Sequence, residues 1–536
     1  MGAVLGIESA PSKVEMDNAA LYPDEVLQAL RACFDALAVG GVIEAARFKP
    51  PMLPAEGAQW SSLYKLMSQL DEPSSSDGPL HWPGFLAGVT AYCKAFKSQR
   101  TKTMARGYAD GGTGLSDDAL RLLLRHALVA ARAGSDGGDG GGDGAALSPE
   151  WSFDGVLADV RRSRGSGTDT LSAEAWTKWV GLNLPALPAC MEAFVLETLV
   201  TIGRQRIAGQ SGAGRGGAGQ GQPHPGSRAA PLRALRVFEP PLLEMAKGQS
   251  RAVLDDAAAW LLGMAIGPNQ ASSKHAQTCL LPGGTSSLAC SRISVPYQVA
   301  DARAWRCLFA SDVHGLSMNR FTHHASGYAG PTLVLARTEA GELFGGYVDA
   351  PWKAGTKYFG GQDCFLFTLS PAFHIYRATA TATNYAFFNP TKTGQLQSSR
   401  YGAEQLPETF GFGGAPTRQR LGFDDDLNQL VWHSSDTSFA VHPAGPGDLA
   451  EGPRRVVALE VWGCGGADAE AARQLLKERA ARDTARAAKV DRAVMFGGIN
   501  DWRDGNNPDK MILEAAGAHT FYSDTLEKPP AEPLRR

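Results

Sequence analysis

The sequence lacks several features that define common protein classes. Its 536 residues carry a net charge of −3, and no basic face stands out, so no nucleic-acid partner is expected. It has no run of about 18 apolar residues, the length that a transmembrane helix needs. The first residues, MGAVLGIES, contain neither a basic stretch nor a long apolar one, so we expect no signal peptide.

Cysteine is scarce and scattered. None of the eight cysteines lies in a CxxC pair, which argues against a zinc ribbon and against a small disulfide scaffold. Most lie in apolar stretches, as Cys307 does in WRCLF and Cys364 in CFLF. We therefore expect reduced cysteines in the core of a cytoplasmic protein.

Motifs that carry enzymatic chemistry are also missing, since neither the P-loop pattern nor HExxH nor GxSxG occurs. The segment GAGRGG at 212–217 matches GxGxxG, but no strand precedes it in this glycine-rich stretch, so we attribute the match to chance. His314 and His323, with Cys307 nearby, leave a hydrolase or redox enzyme open as an alternative. Surface or partly buried histidines are the simpler interpretation, and we expect no catalytic residue, cofactor or metal ion.

Composition and periodicity divide the chain into helical, glycine-rich and β-rich stretches. Apolar residues recur at helical spacing in the N-terminal half, whereas GSDGGDGGGDG at 134–144 has almost no apolar surface to bury. The predicted segments are an N-terminal helical region at 1–133, a glycine-rich linker at 134–148, a helical unit at 149–204, a flexible linker at 205–230, a helical connector at 231–279, a β-rich domain at 280–466 and a helical extension at 467–536.

Three places in the N-terminal half have the outline of a helix–loop–helix calcium site. Asp35 and Gly40 fall on positions 1 and 6 of the first loop, but Ala46 replaces the bidentate Glu at position 12. The second loop has Pro73 at position 1, and the third has Asp169 where the turn needs Gly. Calcium takes about six to eight oxygen ligands, which none of these loops supplies. We predict degenerate EF-hand-like helix pairs without calcium, with plain helical hairpins as the alternative.

The stretch from 307 to 464 consists mainly of β-type segments bounded by Gly, Pro and Asn. Segments 332–338 and 343–348 flank a short turn and are predicted to form a hairpin. Their apolar residues lie on both faces, which indicates a sheet buried on both sides. Gly345 and Gly346 would allow close backbone approach or a bulge. Further strands are predicted at 363–369, 374–379, 384–388 and 456–464.

Short blocks of this β-rich stretch occur in the order typical of one known family. They are WRCLFASDVHG at 305–315, GPTLVL at 330–335, LFGGYV at 343–348, DCFLF at 363–367, NYAFFN at 384–389, GFGG at 411–414, LGFD at 421–424 and VVALEVWG at 456–463. Together they resemble the TLDc domain. The resemblance implies an α+β fold, with a two-sheet β-sandwich flanked by helices, EF-hand-like all-α units before it and a C-terminal helix after it. The residues assigned to the family pattern are His314, Gly315, Gly345, Gly346, Trp352, Phe365, Phe367, Gly413, Gly414 and Trp462.

The rest of the chain is similar to the EAK-type, mTOR-associated lysosomal members of that family. Gly2 after Met1, TLSAEAWTKWV at 170–180 and NPDKMILEAAGAH at 507–519 carry this resemblance. It implies binding to peripheral subunits of the vacuolar-type proton ATPase and to mTOR-pathway proteins, with a role in oxidative-stress resistance. It also implies a location in the cytoplasm or on the cytosolic face of lysosomal or vacuolar membranes. N-myristoylation of Gly2 would give peripheral membrane association, although Gly6 stands where the acylation pattern has Ser or Thr.

The predicted C-terminal helix is rich in Ala, Arg, Lys and Glu and has few large apolar residues. Its basic residues are Arg473, Lys477, Arg479, Arg482, Arg486 and Lys489. A solvated helix and a docking helix for an acidic partner surface are both compatible with this composition. Our leading hypothesis is a non-catalytic adaptor or regulator that acts by binding proteins. A structural component of a ciliary or cytoskeletal assembly is an alternative.

Overall fold

The structure comprises a helical half, a β-sandwich and a C-terminal helix. It is a computed structural model. It describes residues 13–48, 58–69, 78–94, 97–109, 114–132, 153–164, 169–212, 238, 240–250, 252–266, 304–390, 408–443, 445 and 450–495. The chain divides into two compact units, Met1–Glu470 and Ala471–Arg536. The first unit therefore contains both the helical half and the sandwich.

The helical half is built from amphipathic helices that bury one face. Its described helices are α1 (Lys13–Ala19), α2 (Asp24–Leu37), α3 (Ala58–Gln69), α4 (Trp82–Cys93), α5 (Lys97–Tyr108), α6 (Asp117–Arg132), α7 (Asp154–Ser163), α8 (Ala173–Asn183), α9 (Leu187–Gly212) and α10 (Asp256–Ala265). Helix α2, for example, buries Val26, Leu30 and Phe34 at helical spacing. Among the described helices, none alone has the length and hydropathy of a membrane span. Helices α8 and α9 satisfy these criteria only when taken together, and their axes are bent by 102° at the break between them.

The loops of the helical half are joined in pairs by short antiparallel bridges. Ile43, which follows α2, pairs with Leu80, which precedes α4. Leu115, which precedes α6, pairs in the same way with Leu171, which precedes α8. Each bridge therefore ties together two loops that are distant in sequence, an arrangement compatible with the predicted helix–loop–helix pairs.

All described strands of the sandwich except β1 lie between residues 304 and 463. The strands are β1 (Leu242–Glu244), β2 (Ala304–Ala310), β3 (Thr332–Thr338), β4 (Leu343–Val348), β5 (Phe365–Ser370), β6 (His374–Arg377), β7 (Ala386–Asn389), β8 (Thr409–Phe412), β9 (Leu421–Phe423), β10 (Gln429–Trp432) and β11 (Gly452–Gly463). Their order is β6-β5-β4-β3-β11-β10-β9-β8-β7, and β2 also pairs with β11. The β1–β2 pair is parallel. The first residues of β11 pair with β10 and the later ones with β3 and β2, so this strand belongs to both layers.

The two layers approach closely where β4 faces β8. A Cβ atom on Gly346 would lie 2.5 Å from the ring of Phe412, and one on Gly345 would lie 2.1 Å from the ring of Phe367. Glycine is therefore required at Gly346 if the two layers are to pack this closely, and at Gly345 because the ring on the neighbouring strand β5 of the same layer occupies the space of a Cβ atom. The α+β class with a sandwich is confirmed, and the hairpin β3–β4 has the bounds predicted from the sequence.

Two segments differ from what composition predicted. Helix α9 continues to Gly212, into the stretch 205–230 that was expected to be a flexible linker, because QRIA at 205–208 still favours a helix. The connector was expected to be helical, yet it contains β1 as well as α10. Pro240 and Pro241 precede β1 and disfavour helix at that point.

Two short helices, α11 (Ser311–His314) and α12 (Met318–Ala325), lie between β2 and β3. The last described element is the helix α13 (Gly466–Met495). Its first turn belongs to the compact unit, since Ala469 is buried in the sandwich core and Oε1 of Glu470 lies 2.9 Å from Nη1 of Arg306. The compact unit therefore ends at Glu470, four residues beyond the boundary of 466 that we predicted. Further along, Leu475 and Leu476 are 60% and 47% exposed.

Candidate functional site

A buried polar cluster lies where the helical half meets the sandwich. It consists of Asp159 on α7, His374 on β6 and His442 in the loop between β10 and β11. Oδ2 of Asp159 lies 3.0 Å from Nδ1 of His374, and Oδ1 lies 2.8 Å from Nε2 of His442. All three side chains are buried, and their polar atoms lie within 4.8 Å of one another. We call these three residues the Asp–His–His cluster.

Neighbouring contacts hold the cluster in place. The indole N–H of Trp179 on α8 donates to Oδ2 of Asp159 at 2.7 Å. One strand position away from His374, the backbone N–H of Ile375 donates to Oδ1 of Asn183 at 2.8 Å. Arg377 donates to the carbonyl oxygen of Leu182 at 2.9 Å. Helix α8 and strand β6 are thus fixed to each other beside the cluster.

The environment favours an ionised carboxylate in the cluster. Burial alone would raise the pKa of Asp159, but hydrogen bonds from His374, His442 and Trp179 together with the charge of His374 lower it to about 2. Burial also lowers the pKa of His374, and this effect outweighs the opposing influence of Asp159. The cluster therefore places a buried anion between two imidazole rings whose centroids are 4.1 Å apart.

A cleft of about 220 Å³ opens beside the cluster. It is lined by Tyr376, Arg420, Trp432, Ser434, Ser435, Val441, His442 and Gly445. The guanidinium of Arg420 lies over the ring of Trp432, 5.2 Å from its centroid, and 3.6 Å from Oδ1 of Asp436. His442 thus belongs both to the lining of the cleft and to the buried cluster.

A second polar contact joins the connector to the sandwich. Glu460 on β11 is buried and accepts four hydrogen bonds. The donors are the Gln249 side chain at 2.7 Å, the Val253 backbone at 2.7 Å, the Leu254 backbone at 3.2 Å and the Trp462 indole at 2.9 Å. Burial raises the pKa of Glu460, and the four hydrogen bonds oppose that rise in part. This carboxylate therefore ties the chain that precedes α10 to the central strand.

The residues considered for an enzymatic site do not form one. The thiol of Cys307 lies 3.3 Å from the carbonyl oxygen of Phe309, and burial raises its pKa far above the usual range, so little thiolate exists at neutral pH. Nδ1 of His314 accepts the backbone N–H of Ala310 at 3.1 Å. The ring of His314 stacks on that of His324 at 3.8 Å, and His323 lies at the edge of His324. These contacts describe a packed ring cluster without an activated nucleophile.

The residues assigned to the family pattern mostly build the sandwich. Phe365 and Phe367 are buried on β5, and the indole of Trp352 donates to Oγ1 of Thr332 at 2.9 Å. The indole of Trp462 donates to Glu460. Gly315, Gly413 and Gly414 adopt positive φ angles of 74°, 68° and 63°. These assigned residues therefore serve backbone geometry and packing.

The proposed partner-binding residues lie on α13 with different exposures. Arg473 is buried, whereas Lys477, Arg479, Arg482 and Arg486 are exposed. The side chain of Lys489 and the whole of Gly2 lie outside the described residues.

The calcium-like loops contain groups unsuited to a cation. The third loop has Arg164 at position 1, and its guanidinium binds Asp117. In the first loop, Asp35 lies 3.4 Å from Arg31. The third loop thus has a cation where the first ligand is needed, and the carboxylate at position 1 of the first loop is paired with an arginine.

Sequence reasoning missed the Asp–His–His cluster and Glu460. Asp159 is separated from His374 by 215 positions and from His442 by 283 positions, so no local spacing connects them. Glu460 carries a weak signal, since it is a lone acid within the apolar strand VVALEVWG. A buried acid in a strand needs several donors, which points to a polar contact with another element.

The β-rich part of the chain is similar to a known protein family. Residues 288–465 match the family model of the TLDc domain. This part of the chain, which contains β2 to β11, is therefore a TLDc domain. The resemblance inferred from the ordered sequence blocks is confirmed.

The similar proteins include several that carry the name MTOR-associated protein MEAK7. The Xenopus laevis protein is 29% identical over 171 residues, covering 32% of this chain and 34% of its own length. The Homo sapiens protein is 25% identical over 226 residues, covering 42% of this chain and 41% of its own length. Oxidation resistance protein 1 of Rattus norvegicus is 25% identical over 133 residues, covering 25% of this chain and 14% of its own length. The chain thus matches at most about two fifths of the length of these relatives.

Proposed function

We propose that this protein is a non-catalytic regulator that acts by binding other proteins, and that its partner is the cytosolic sector of the vacuolar-type proton ATPase. The TLDc domain and the names of its relatives, which refer to mTOR association and to oxidation resistance, support a regulatory role. We extend this proposal to mTOR-pathway partners and to the cytosolic face of lysosomal or vacuolar membranes.

The observation that carries the proposal is the surface of α13. Leu475 and Leu476 are 60% and 47% exposed, and Arg479, Arg482 and Arg486 are exposed on the following turns. Exposed leucines next to arginines suit a helix that lies in an apolar groove with an acidic rim. The partner surface should therefore be acidic, and the affinity should fall as the salt concentration rises.

A charge-reversal variant tests this surface in the full-length protein. Replacing Arg479, Arg482 and Arg486 together by Glu should reduce capture of the purified peripheral ATPase sector at least tenfold. The melting temperature should stay within about 2 °C of the parent, because exposed charges contribute little to stability. Inhibition of ATP hydrolysis by the added protein should be lost in parallel.

The matched control reverses three exposed cations elsewhere, at Lys178, Arg204 and Arg206 on α8 and α9. It changes the net charge by the same amount, so it separates general charge effects from the docking surface. Equal loss of capture in both variants would remove the claim for α13. If the unmodified protein neither captures the ATPase sector nor changes ATP hydrolysis, the proposed partner is wrong.

Truncation after Arg473 gives a second test, since Ala469 and Glu470 pack on the sandwich and Arg473 is buried, so all three must be kept. The truncated chain should have the same melting temperature as the parent but should no longer capture the ATPase sector. Localisation distinguishes the alternative of a structural component: acidic membrane-bound compartments support the regulator, whereas filaments or axonemes support the structural protein.

A further inference from the structure

The Asp–His–His cluster has the donor set of a transition-metal site. Two imidazole nitrogens and one carboxylate form a recurrent ligand set for Zn²⁺ and other first-row divalent metals. In this protein they come from a helix, a strand and a loop and are all buried. We propose that Asp159, His374 and His442 bind one divalent transition metal, of the Zn²⁺ class, which clamps α7 to the sandwich. This proposal is independent of the partner proposed for α13.

The distances require only small shifts for a metal ion to enter. Ligand atoms about 2.0 to 2.1 Å from a tetrahedral Zn²⁺ lie about 3.3 Å from one another. Asp159 Oδ2 lies 3.0 Å from Nδ1 of His374, and Oδ1 lies 2.8 Å from Nε2 of His442. Because the carboxylate ligand is Oδ1, the Oδ1–Nε2 pair must separate by about half an ångström. The three ligand atoms lie within 4.8 Å of one another, so small rotations of the His442 side chain and of the carboxylate can bring them to these spacings.

The positions of the imidazole protons allow a metal ion to replace the hydrogen bonds of the cluster. The nitrogens that face the carboxylate, Nδ1 of His374 and Nε2 of His442, carry the metal if the imidazole proton lies on the opposite ring nitrogen. The Asp159 carboxylate carries a negative charge, which a divalent cation offsets. The cation then bonds to two nitrogens and one oxygen, and no redox change is involved.

Neighbouring residues supply the remaining requirements of a metal site. The indole of Trp179 donates to Oδ2 of Asp159 at 2.7 Å, which fixes the carboxylate and leaves Oδ1 available as a ligand. His442 also lines the cleft, and movement of its side chain would open the site to water and to an entering ion. Access through the cleft makes the site loadable in the folded protein.

The test uses two substitutions that keep the hydrogen bonds but remove the ligands. Asn places an amide N–H near the position of Nδ1, and Gln places one near the position of Nε2. The double variant His374→Asn with His442→Gln can therefore still donate to Asp159, yet it lacks both imidazoles. Full-length protein, stripped with a chelator and dialysed, is titrated with Zn²⁺ by calorimetry and by thermal shift, and its metal content is measured.

The parent should bind one equivalent of Zn²⁺ and melt at a higher temperature in its presence, since a ligand that binds the native state stabilises it. The double variant should bind at least 100-fold more weakly and gain no thermal stability. Trp179→Phe, which keeps all three ligands, should weaken binding only about tenfold. Equal binding by parent and double variant, or no stoichiometric binding by the parent, would overturn the proposal.

If the double variant does not fold, Co²⁺ in the stripped parent gives an independent readout. Strong visible absorption typical of tetrahedral Co²⁺ with nitrogen and oxygen ligands supports the site. A spectrum that matches hexaaqua Co²⁺ overturns it and leaves the cluster as a hydrogen-bonded anchor.

Discussion

The four hydrogen bonds to Glu460 make it the most informative position for a stability measurement. Each carboxylate oxygen accepts two donors: Oε1 accepts from Gln249 and Val253, and Oε2 accepts from Leu254 and Trp462. Replacing Glu460 by Gln turns one of these oxygens into an amide nitrogen. In either orientation of the amide, two buried donors then face a donor and lose their acceptor.

The magnitude follows from those two lost bonds. A buried donor without an acceptor costs about 1 to 3 kcal/mol, so two should destabilise the protein by several kcal/mol. Removing the charge offsets part of this destabilisation, because burial disfavours the ionised carboxylate and raises the pKa of Glu460. We expect a net loss of about 3 kcal/mol in the free energy of unfolding.

The assay combines global and local readouts. Urea unfolding gives the change in stability, and hydrogen exchange reports the backbone amides of Val253 and Leu254, which donate to Glu460. The control is Glu244→Gln, because Glu244 is a half-exposed acid paired with Arg306 at 2.8 Å and should cost less than about 1 kcal/mol. If both variants are equally stable and both amides stay protected in Glu460→Gln, the reasoning about this contact is wrong.

Three further predictions concern packing, pH and calcium. Gly346→Ala should lower stability by about 1 to 3 kcal/mol through overlap with Phe412, whereas Gly263→Ala, in a helix with open space, should raise it by up to about 1 kcal/mol. Burial would raise the pKa of Asp117, but hydrogen bonds from Arg161 and Arg164 lower it. The loss in free energy of unfolding caused by Asp117→Asn should therefore be constant at neutral pH and become smaller as the pH falls below about 4. Urea unfolding at a series of pH values measures this dependence. Millimolar calcium should leave the melting temperature unchanged, and a clear rise would contradict the assignment of ligand-poor loops.

The sandwich could be predicted well where apolar runs are bounded by a clear turn. The hairpin β3–β4 has apolar strands and a short turn, and its predicted bounds agree with Thr332–Thr338 and Leu343–Val348. Short strands such as β9 (Leu421–Phe423) were missed, since three residues carry too little periodicity. Helix ends were less certain, as the extension of α9 to Gly212 shows.

The candidate site could not be predicted, for a physical reason. His314, His323 and His324 are neighbours in sequence, and their rings lie together. These rings contact one another and the backbone of Ala310. Asp159 and His374 meet only because α7 packs against β6, and that contact depends on tertiary structure. Local sequence therefore identified the histidines at 314, 323 and 324, but it missed the Asp–His–His cluster, whose polar atoms converge.

Buried carboxylates at both contacts imply that the helical half is needed for a stable TLDc domain. Asp159 reaches β6 from α7, and Glu460 on β11 receives donors from 249–254. A fragment 288–470 keeps the matched family segment but loses Asp159, Gln249 and the amides that pair with Glu460. Without residues 249–254, Glu460 keeps only the Trp462 donor and is open to water, so this contact no longer contributes to stability. We expect the fragment to unfold at lower urea concentration than the full chain, and Glu460→Gln to cost less than about 1 kcal/mol in the fragment against about 3 kcal/mol in the parent. An equal cost in both proteins would show that the helical half does not satisfy this carboxylate.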